Sequence, residues 1–179
     1  MSRNLTIPPD VPLPGPGRPD AQAVVAFGAN LGDREATIRS AAERIARLPM
    51  VSDLRLSSMV ETVAVTLDGP DPEAPAYLNA VALLTTRLAP EILLGMLHAI
   101  EAENGRERLQ RWGDRTLDLD LIAYEGESAD EPHLQLPHPR AASRLFVLEP
   151  WLELDPEAEL PGSGRVADLV AALRHGDAP

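Results

Sequence analysis

Residues 105–124 read GRERLQRWGDRTLDLDLIAY, and the chain changes character halfway along them. The first half gathers Arg106, Arg108, Arg111 and Arg115 around a Trp112-Gly113 turn. Cations so close together repel one another unless an anion or acidic groups sit among them. The second half, Thr116 to Tyr124, alternates as a strand does. Successive strand side chains point to opposite faces, so Asp118, Asp120, Ile122 and Tyr124 are expected on one face and Leu119, Leu121 and Ala123 on the other. Two carboxylates on one strand face are costly if buried without partners. A bound divalent cation would remove the repulsion, because hard cations take oxygen ligands. An arginine loop leading into such a strand is what a polyphosphate site needs. A solvated edge strand behind a basic turn is the plainer reading, and spacing alone leaves both open.

Upstream, Ala23 to Phe27 is an apolar run of strand length, expected as a buried central strand. Gly28-Ala29-Asn30-Leu31-Gly32 then turns the chain, and Asp33 can cap a helix. Ile38, Ala41, Ile45 and Leu48 recur at helical spacing, and Pro49 stands where that helix should stop. A glycine-rich turn between strand and helix invites a P-loop or dinucleotide reading. Both are rejected: there is no Gly-Lys-Ser/Thr, and the G-x-G-x-x-G spacing is missing. The glycines are read as a tight turn that packs helix against sheet. Val51 to Leu56 reads as a second strand, with Val51, Asp53 and Arg55 opposite Ser52, Leu54 and Leu56, and strand character resumes over Met59 to Val63. Asp68 to Pro75, DGPDPEAP, is expected to hold no regular structure. Tyr77 to Thr86 alternates again. Pro90 suits a first helical turn; Leu93, Leu97 and Ile100 form the apolar stripe of that helix, and Gly105 can end it.

Downstream, Glu125 to His133 reads as a polar connection and Leu134 to Leu136 as a short strand. His138 lies in a rigid loop between Pro137 and Pro139. Ala141 to Leu154 is expected as two helical pieces broken by Pro150, and Val166 to Leu173 as an amphipathic terminal helix. The order is β-α-β twice, then short helices. This is the split βαβ, ferredoxin-like arrangement: an α+β, βαββαβ sandwich with a largely antiparallel sheet and helices on one face.

A chain of 179 residues fits one domain. Residues 1–21 are expected to form a disordered tail rich in proline and glycine, and 22–179 a single domain. A net charge of −12 argues against a nucleic-acid partner, which needs a basic footprint, but not against a nucleotide in a local basic pocket. The absence of cysteine excludes disulfides, thiolate zinc sites and cysteine nucleophiles. No apolar run approaches membrane-spanning length and no secretory signal opens the chain, so a cytoplasmic protein without membrane partners is expected.

RWGDRTLDLDLIAY, followed by LPHPRAASRLFVLEP, resembles the 6-hydroxymethyl-7,8-dihydropterin pyrophosphokinases of folate biosynthesis. FGANLGDR matches that family's first strand and turn, and AYLNAVALLTT its strand carrying an aromatic-Leu-Asn. The resemblance spans roughly Ala23 to Leu173 and leaves the tail without a counterpart. It implies transfer of a pyrophosphoryl group from ATP to the hydroxymethyl of a reduced pterin, with release of AMP. It further implies that Asp118 and Asp120 hold two Mg²⁺ ions bridging the triphosphate, in accord with the strand geometry above. Such transfer asks a protein mainly for alignment and charge stabilisation.

Arg106, Arg108, Arg111 and Arg115 match the family's arginine loop, with Arg108 and Arg115 expected as catalytic phosphate contacts. Trp112 matches the tryptophan that helps close the site. His138 and Arg144 match basic residues of the nucleotide site, and Glu101 a helical acid near it, although a helix-face acid is ordinarily solvated. A pterin needs two stacking faces and amide-like edges. Tyr77 and Phe146 match the aromatics that sandwich it, Asn79 the residue that reads its edge, and Thr62 a backbone contact. Ordinary core packing is the rival reading for Phe146.

The chain departs from the family at Asp114, where proline is usual, in the Thr-Val-Ala-Val after Glu61, which lacks the usual prolines, and in Gly28-Ala29-Asn30 for Gly-Ser-Asn. A regulatory module that binds nucleotide or polyphosphate is an alternative on the same fold. It has no need of paired metal carboxylates together with a pterin sandwich. RNA binding on the sheet face is disfavoured by acidity and by the lack of stacking aromatics. The expected partners are ATP and a reduced pterin, and the chain is expected to act as a monomer.

Overall fold

The computed structural model describes residues 18–66, 69–71, 73–104 and 116–176. In chain order the elements are β1 (Ala21–Ala29), α1 (Arg34–Ala46), β2 (Val51–Leu56), β3 (Val60–Thr62), β4 (Ala64–Thr66), β5 (Gly69–Asp71), β6 (Tyr77–Thr86), α2 (Pro90–Glu103), β7 (Asp118–Tyr124), β8 (Ala129–Glu131) and β9 (Leu134–Leu136). A short 3₁₀ helix (Ala141–Ser143), α3 (Leu145–Leu154), β10 (Glu159–Leu160), β11 (Gly164–Arg165) and α4 (Val166–His175) complete them. The main sheet runs β2-β6-β1-β7, and β3 also pairs with β6. Every pairing in it is antiparallel. This is the ferredoxin-like α+β arrangement: β6 lies between β1 and β2, and β1 lies between β6 and β7.

The helices do not keep to one face, which corrects the sequence expectation. On the first face Ala23, Val25 and Phe27 of β1 bury against Ile38, Ala41 and Ile45 of α1 and Leu93, Leu97 and Ile100 of α2. On the second face Val24, Ala26, Val81 and Leu83 bury against Val147, Leu148 and Trp151 of α3 and Val166 and Val170 of α4. Both faces of β1 and β6 are therefore apolar, as a strand buried on two sides requires. Pro150 does not break α3. It lies in the interior of α3, past the first turn, so its missing N–H removes one intrahelical bond without ending the helix.

Two bulges overturn the simple alternation read from the sequence. In β2 the register slips between Ser52 and Arg55, and Asp53 takes φ 48°. The extra residue turns Val51, Leu54 and Leu56 together toward the first core. In the pairing of β1 with β7, Val24 faces Ala123 while Val25 faces Leu121. Ile122 is the extra residue. Ile122 and Ala123 both enter the second core, and Tyr124 turns to the first core with Leu119 and Leu121. Tyr124 had been expected on the face of the aspartates.

Other corrections are local. Gly69–Asp71 pairs with Ala64–Thr66, so Asp68 to Pro75 is not without regular structure. Ala129–Glu131 pairs with Leu134–Leu136 inside the stretch read as a polar connection. Helix α2 ends at Glu103 with Asn104 as its C-cap, and Gly105 lies outside the described residues. Helix α1 is capped by Asp33, whose Oδ1 accepts from Ala36 N at 3.0 Å. A buried bond ties β7 to the start of α2: Tyr124 Oη donates to the Leu88 carbonyl at 2.6 Å. Tyr124→Phe should cost about 1 kcal/mol, the net value of a buried hydrogen bond. Thermal unfolding should then show a midpoint lowered by roughly 2–4 °C, and an unchanged midpoint would refute the contribution of this bond.

Candidate active site

The register of β1 assembles the site. Gly28 faces Asn79 on β6 and Asp118 on β7. All three continue the second face, beyond the positions that α3 and α4 cover. A methyl group on Gly28 would lie 3.6 Å from Asn79 Oδ1 and 3.8 Å from both Asp118 Cβ and Tyr77 Cδ1. The residues expected for a pterin and those expected for a metal therefore converge on one backbone position.

At the acidic end, Asp118 and Asp120 are partly exposed and share this face. Arg144 Nη1 donates to Asp120 Oδ2 at 3.3 Å. His138 Nε2 stands 3.9 Å from the same oxygen, beyond a direct hydrogen bond. His138 is docked by its own N–H, which donates to the Ile122 carbonyl at 2.8 Å. Its Nδ1 accepts from the Arg140 N–H at 3.1 Å, which places the ring proton of the neutral form on Nε2, facing the carboxylate. Burial holds the His138 pKa below the usual imidazole value; Asp120 pulls it upward, while Arg144 and Arg140 push it further down. Arg144 also lies with its guanidinium carbon 5.6 Å from the centroid of the Phe146 ring, a cation–π distance. It links the acidic end to one of the expected stacking residues.

At the other end, Asn79 Nδ2 donates to Thr62 Oγ1 at 2.9 Å and reaches the Val60 carbonyl at 3.4 Å. Thr62 pairs directly with Tyr77 across β3 and β6. Tyr77 is half-buried and Asn79 buried. Phe146 is also half-buried and packs against the second core, so its two sequence readings are compatible.

Glu101 is not a solvated helix-face acid. It is 1% exposed, and its Oε1 accepts from the Leu119 N–H at 2.8 Å. That amide lies between the two aspartates, so Glu101 supports β7 from inside the first core. Arg106, Arg108, Arg111, Trp112, Asp114 and Arg115 lie outside the described residues.

Two residues of the arrangement were missed in the sequence. Gly28 had been assigned to a turn, but it belongs to β1, and its missing side chain faces the site. Arg34, the first residue of α1, donates through Nη1 to the Ala76 carbonyl at 2.7 Å and pairs with Glu61 through Nη2 at 2.8 Å. These contacts flank Tyr77 and Thr62. The signal was the Asp33-Arg34 pair after Gly32: a capping aspartate fixes where the next side chain can reach. Most of the effect should come from the carbonyl bond, because Glu61 is largely exposed and such ion pairs are worth about 0–1 kcal/mol. Arg34→Met should lower the local opening energy by about 1 kcal/mol or more. Hydrogen exchange should quicken at the Thr62 and Tyr77 amides and stay unchanged in α4. Unaltered exchange at Thr62 and Tyr77 would dismiss the clamp.

A family model described as 7,8-dihydro-6-hydroxymethylpterin-pyrophosphokinase (HPPK) matches residues 24–156. A Pseudomonas aeruginosa protein named 2-amino-4-hydroxy-6-hydroxymethyldihydropteridine pyrophosphokinase is 40% identical over 148 residues, covering 83% of this chain and 89% of its own. Proteins of the same name from Haemophilus influenzae and Bacillus subtilis are each 37% identical, covering 83% and 82% of this chain and 90% and 85% of theirs. Among solved structures, an HPPK-DHPS in complex with substrates superposes with a TM-score of 0.66 at 13% identity, covering 88% of this chain. Plasmodium falciparum HPPK-DHPS with pteroate superposes with a TM-score of 0.62 at 12% identity, covering 86%. This chain spans 44% and 42% of those two longer chains. Likeness at that identity speaks for the fold alone.

Proposed function

This chain belongs to the 7,8-dihydro-6-hydroxymethylpterin-pyrophosphokinase family, and from that premise we propose how its residues divide the reaction. It transfers pyrophosphate from ATP to the hydroxymethyl group of 6-hydroxymethyl-7,8-dihydropterin in folate biosynthesis. The hydroxyl oxygen attacks the β-phosphorus, the bond from that phosphorus to the α-phosphate oxygen breaks, the hydroxyl proton is lost, and AMP leaves. The observation that carries the assignment of residues is the convergence of Tyr77, Asn79 and Asp118 on Gly28. A pterin read by Asn79 and stacked on Tyr77 would present its hydroxymethyl group toward the aspartates.

The donor set fits magnesium. Asp118 and Asp120 offer hard carboxylate oxygens on one strand face. Among the described residues no group of three or more His, Cys, Asp or Glu forms a closed metal cage. Mg²⁺ suits such a site, since it binds through one or two carboxylates and completes its shell with phosphate and water oxygens. In this reading Asp118 and Asp120 would hold two Mg²⁺ ions, which would supply charge neutralisation and alignment of the triphosphate. Arg144 and the Nε2–H of His138, both directed at Asp120, would meet the phosphates there. Arg106, Arg108, Arg111 and Arg115 contribute further cations, and Trp112 helps to shut out water. Tyr77 and Phe146 stack the pterin, and Thr62 orients the amide of Asn79 while offering its backbone to the ring. Glu101 acts through β7 and not as a nucleotide ligand. Residues 22–179, joined by Ala21 at the start of β1, are read as one domain acting as a cytoplasmic monomer, with the residues before it as a tail. Among the described residues no helix is long and apolar enough to cross a membrane.

Incubation with Mg-ATP and the hydroxymethyl-dihydropterin should yield AMP and pterin pyrophosphate in equal amounts by nucleotide chromatography; formation of ADP would mean an ordinary kinase. Asp118→Asn and Asp120→Asn should each lower turnover by roughly a hundredfold or more, because the triphosphate loses its alignment. Near-normal activity at limiting Mg²⁺ would remove the metal role from that residue. Tyr77→Ala and Phe146→Ala should weaken pterin binding by about tenfold in calorimetric titration, with a much smaller effect on a non-hydrolysable ATP analogue. Equal losses for both ligands would mean damage to the core instead.

A further inference from the structure

We propose that Gly28 is a specificity-determining residue: its missing side chain makes the gap through which the 6-substituent of the pterin passes toward the phosphates. The proposal rests on the division of the site given above and adds what no motif assigned to this position. Gly28 is a strand residue, not a turn residue, and pairs on both sides, with Asn79 and with Asp118. Its backbone is extended, so conformation does not call for glycine there; among the described glycines, positive φ occurs at Gly32, Gly126, Gly162, Gly164 and Gly176.

Nor does the surrounding protein call for it. A methyl at Gly28 would meet Asn79, Asp118 and Tyr77 at 3.6–3.8 Å, ordinary van der Waals contact, with no atom displaced. Glycine inside a strand carries an entropic penalty relative to alanine. A glycine that neither backbone nor neighbours require, in the central strand of the sheet, is most simply explained by what must approach it.

The position identifies the approaching group. Asn79 Oδ1 and Tyr77 Cδ1 are the two pterin-side atoms, and Asp118 Cβ is the metal-side atom, around that one point. A ring stacked on Tyr77 and read by Asn79 lies to one side of Gly28, and a triphosphate aligned by Asp118 lies to the other. The atoms between them are those that join ring and phosphate, the hydroxymethyl carbon and oxygen. A methyl on residue 28 would occupy their path and leave both flanking subsites intact.

The test is calorimetric binding of three ligands to the full chain and to Gly28→Ala: the hydroxymethyl-dihydropterin, a dihydropterin with hydrogen at position 6, and a non-hydrolysable Mg-ATP analogue. Gly28→Ala should melt at or above the wild-type temperature. It should bind the hydroxymethyl compound roughly tenfold or more weakly, the scale on which one extra methyl in a fitted pocket discriminates. The unsubstituted ring and the ATP analogue should bind within about twofold of wild type, since neither fills the gap. Gly28→Ser, of similar size, should repeat the pattern. Equal losses for both pterins, loss of the ATP analogue, or no loss at all would each overturn the proposal. A wild-type protein that bound neither pterin would instead overturn the reading of the reaction on which the proposal rests.

Discussion

The site depends on the register in which β1 holds β6 and β7. Backbone pairing fixes Gly28 between Asn79 and Asp118, and a slip of one residue would turn every side chain on the moved strand to the opposite face. Slippage is opposed on both sides at once. Alternate residues of β1 and β6 are buried in separate apolar clusters, so neither face of these strands can be exchanged for solvent. A sheet with one solvated face would tolerate a shifted edge strand more readily. Here the second core, built by α3 and α4, both completes the burial and ends where the polar residues begin.

Strand β7 solves a conflict between chemistry and packing. The two aspartates share the polar end of the second face, while Tyr124 reaches the Leu88 carbonyl on the first. Strict alternation would put all three side chains on one face. The bulge at Ile122 inserts one residue and separates the two demands. Glu101 reinforces the chemical half of the strand by accepting the Leu119 N–H. A buried carboxylate is costly compared with an apolar side chain of similar size. What it adds is direction: an oxygen aimed at one amide fixes the backbone between Asp118 and Asp120 more narrowly than apolar contact could.

The fold was legible because its signals are periodic. Apolar runs of strand length, helical stripes at Ile38–Ile45 and Leu93–Ile100, and Pro49 and Pro90 at helix ends all lie where local chemistry puts them. The aspartate pair, Tyr77 and Asn79 could be placed by counting along strands. The bulges could not, since an extra residue leaves no mark in a pattern of period two until a partner strand is known. The α3 layer was misjudged for a related reason: Val24, Ala26, Val81 and Leu83 announce a second buried face only when β1 and β6 are seen as neighbours. Glu101 was expected near the nucleotide, with a solvated position as the rival reading, because one helix read alone does not reveal the amide waiting across the core. Arg34 and Gly28 act through contacts made by residues distant in sequence. In the glycine's case it is the absence of a side chain that matters, and no local pattern reports it.

Charge explains how so acidic a chain can serve a nucleotide. A net −12 opposes an anion at long range, but salt screens exposed charges beyond about 8 Å. What an arriving triphosphate feels is decided within the site. There the two carboxylates are of the wrong sign, and burial disfavours the charged form of His138 by lowering its pKa. Arg144 is in contact with Asp120 and cannot fully serve the carboxylate and the phosphates at once. In the proposed division of the site, a nucleotide beside Asp118 and Asp120 would need positive charge directly between carboxylate and phosphate oxygens, besides what Arg106, Arg108, Arg111 and Arg115 would bring. On that proposal a divalent cation arriving with the nucleotide would supply it, and Arg144, now paired with Asp120, would become available to the phosphates. On the same proposal, the aspartates that would repel ATP alone would be the reason the site accepts it as its magnesium complex.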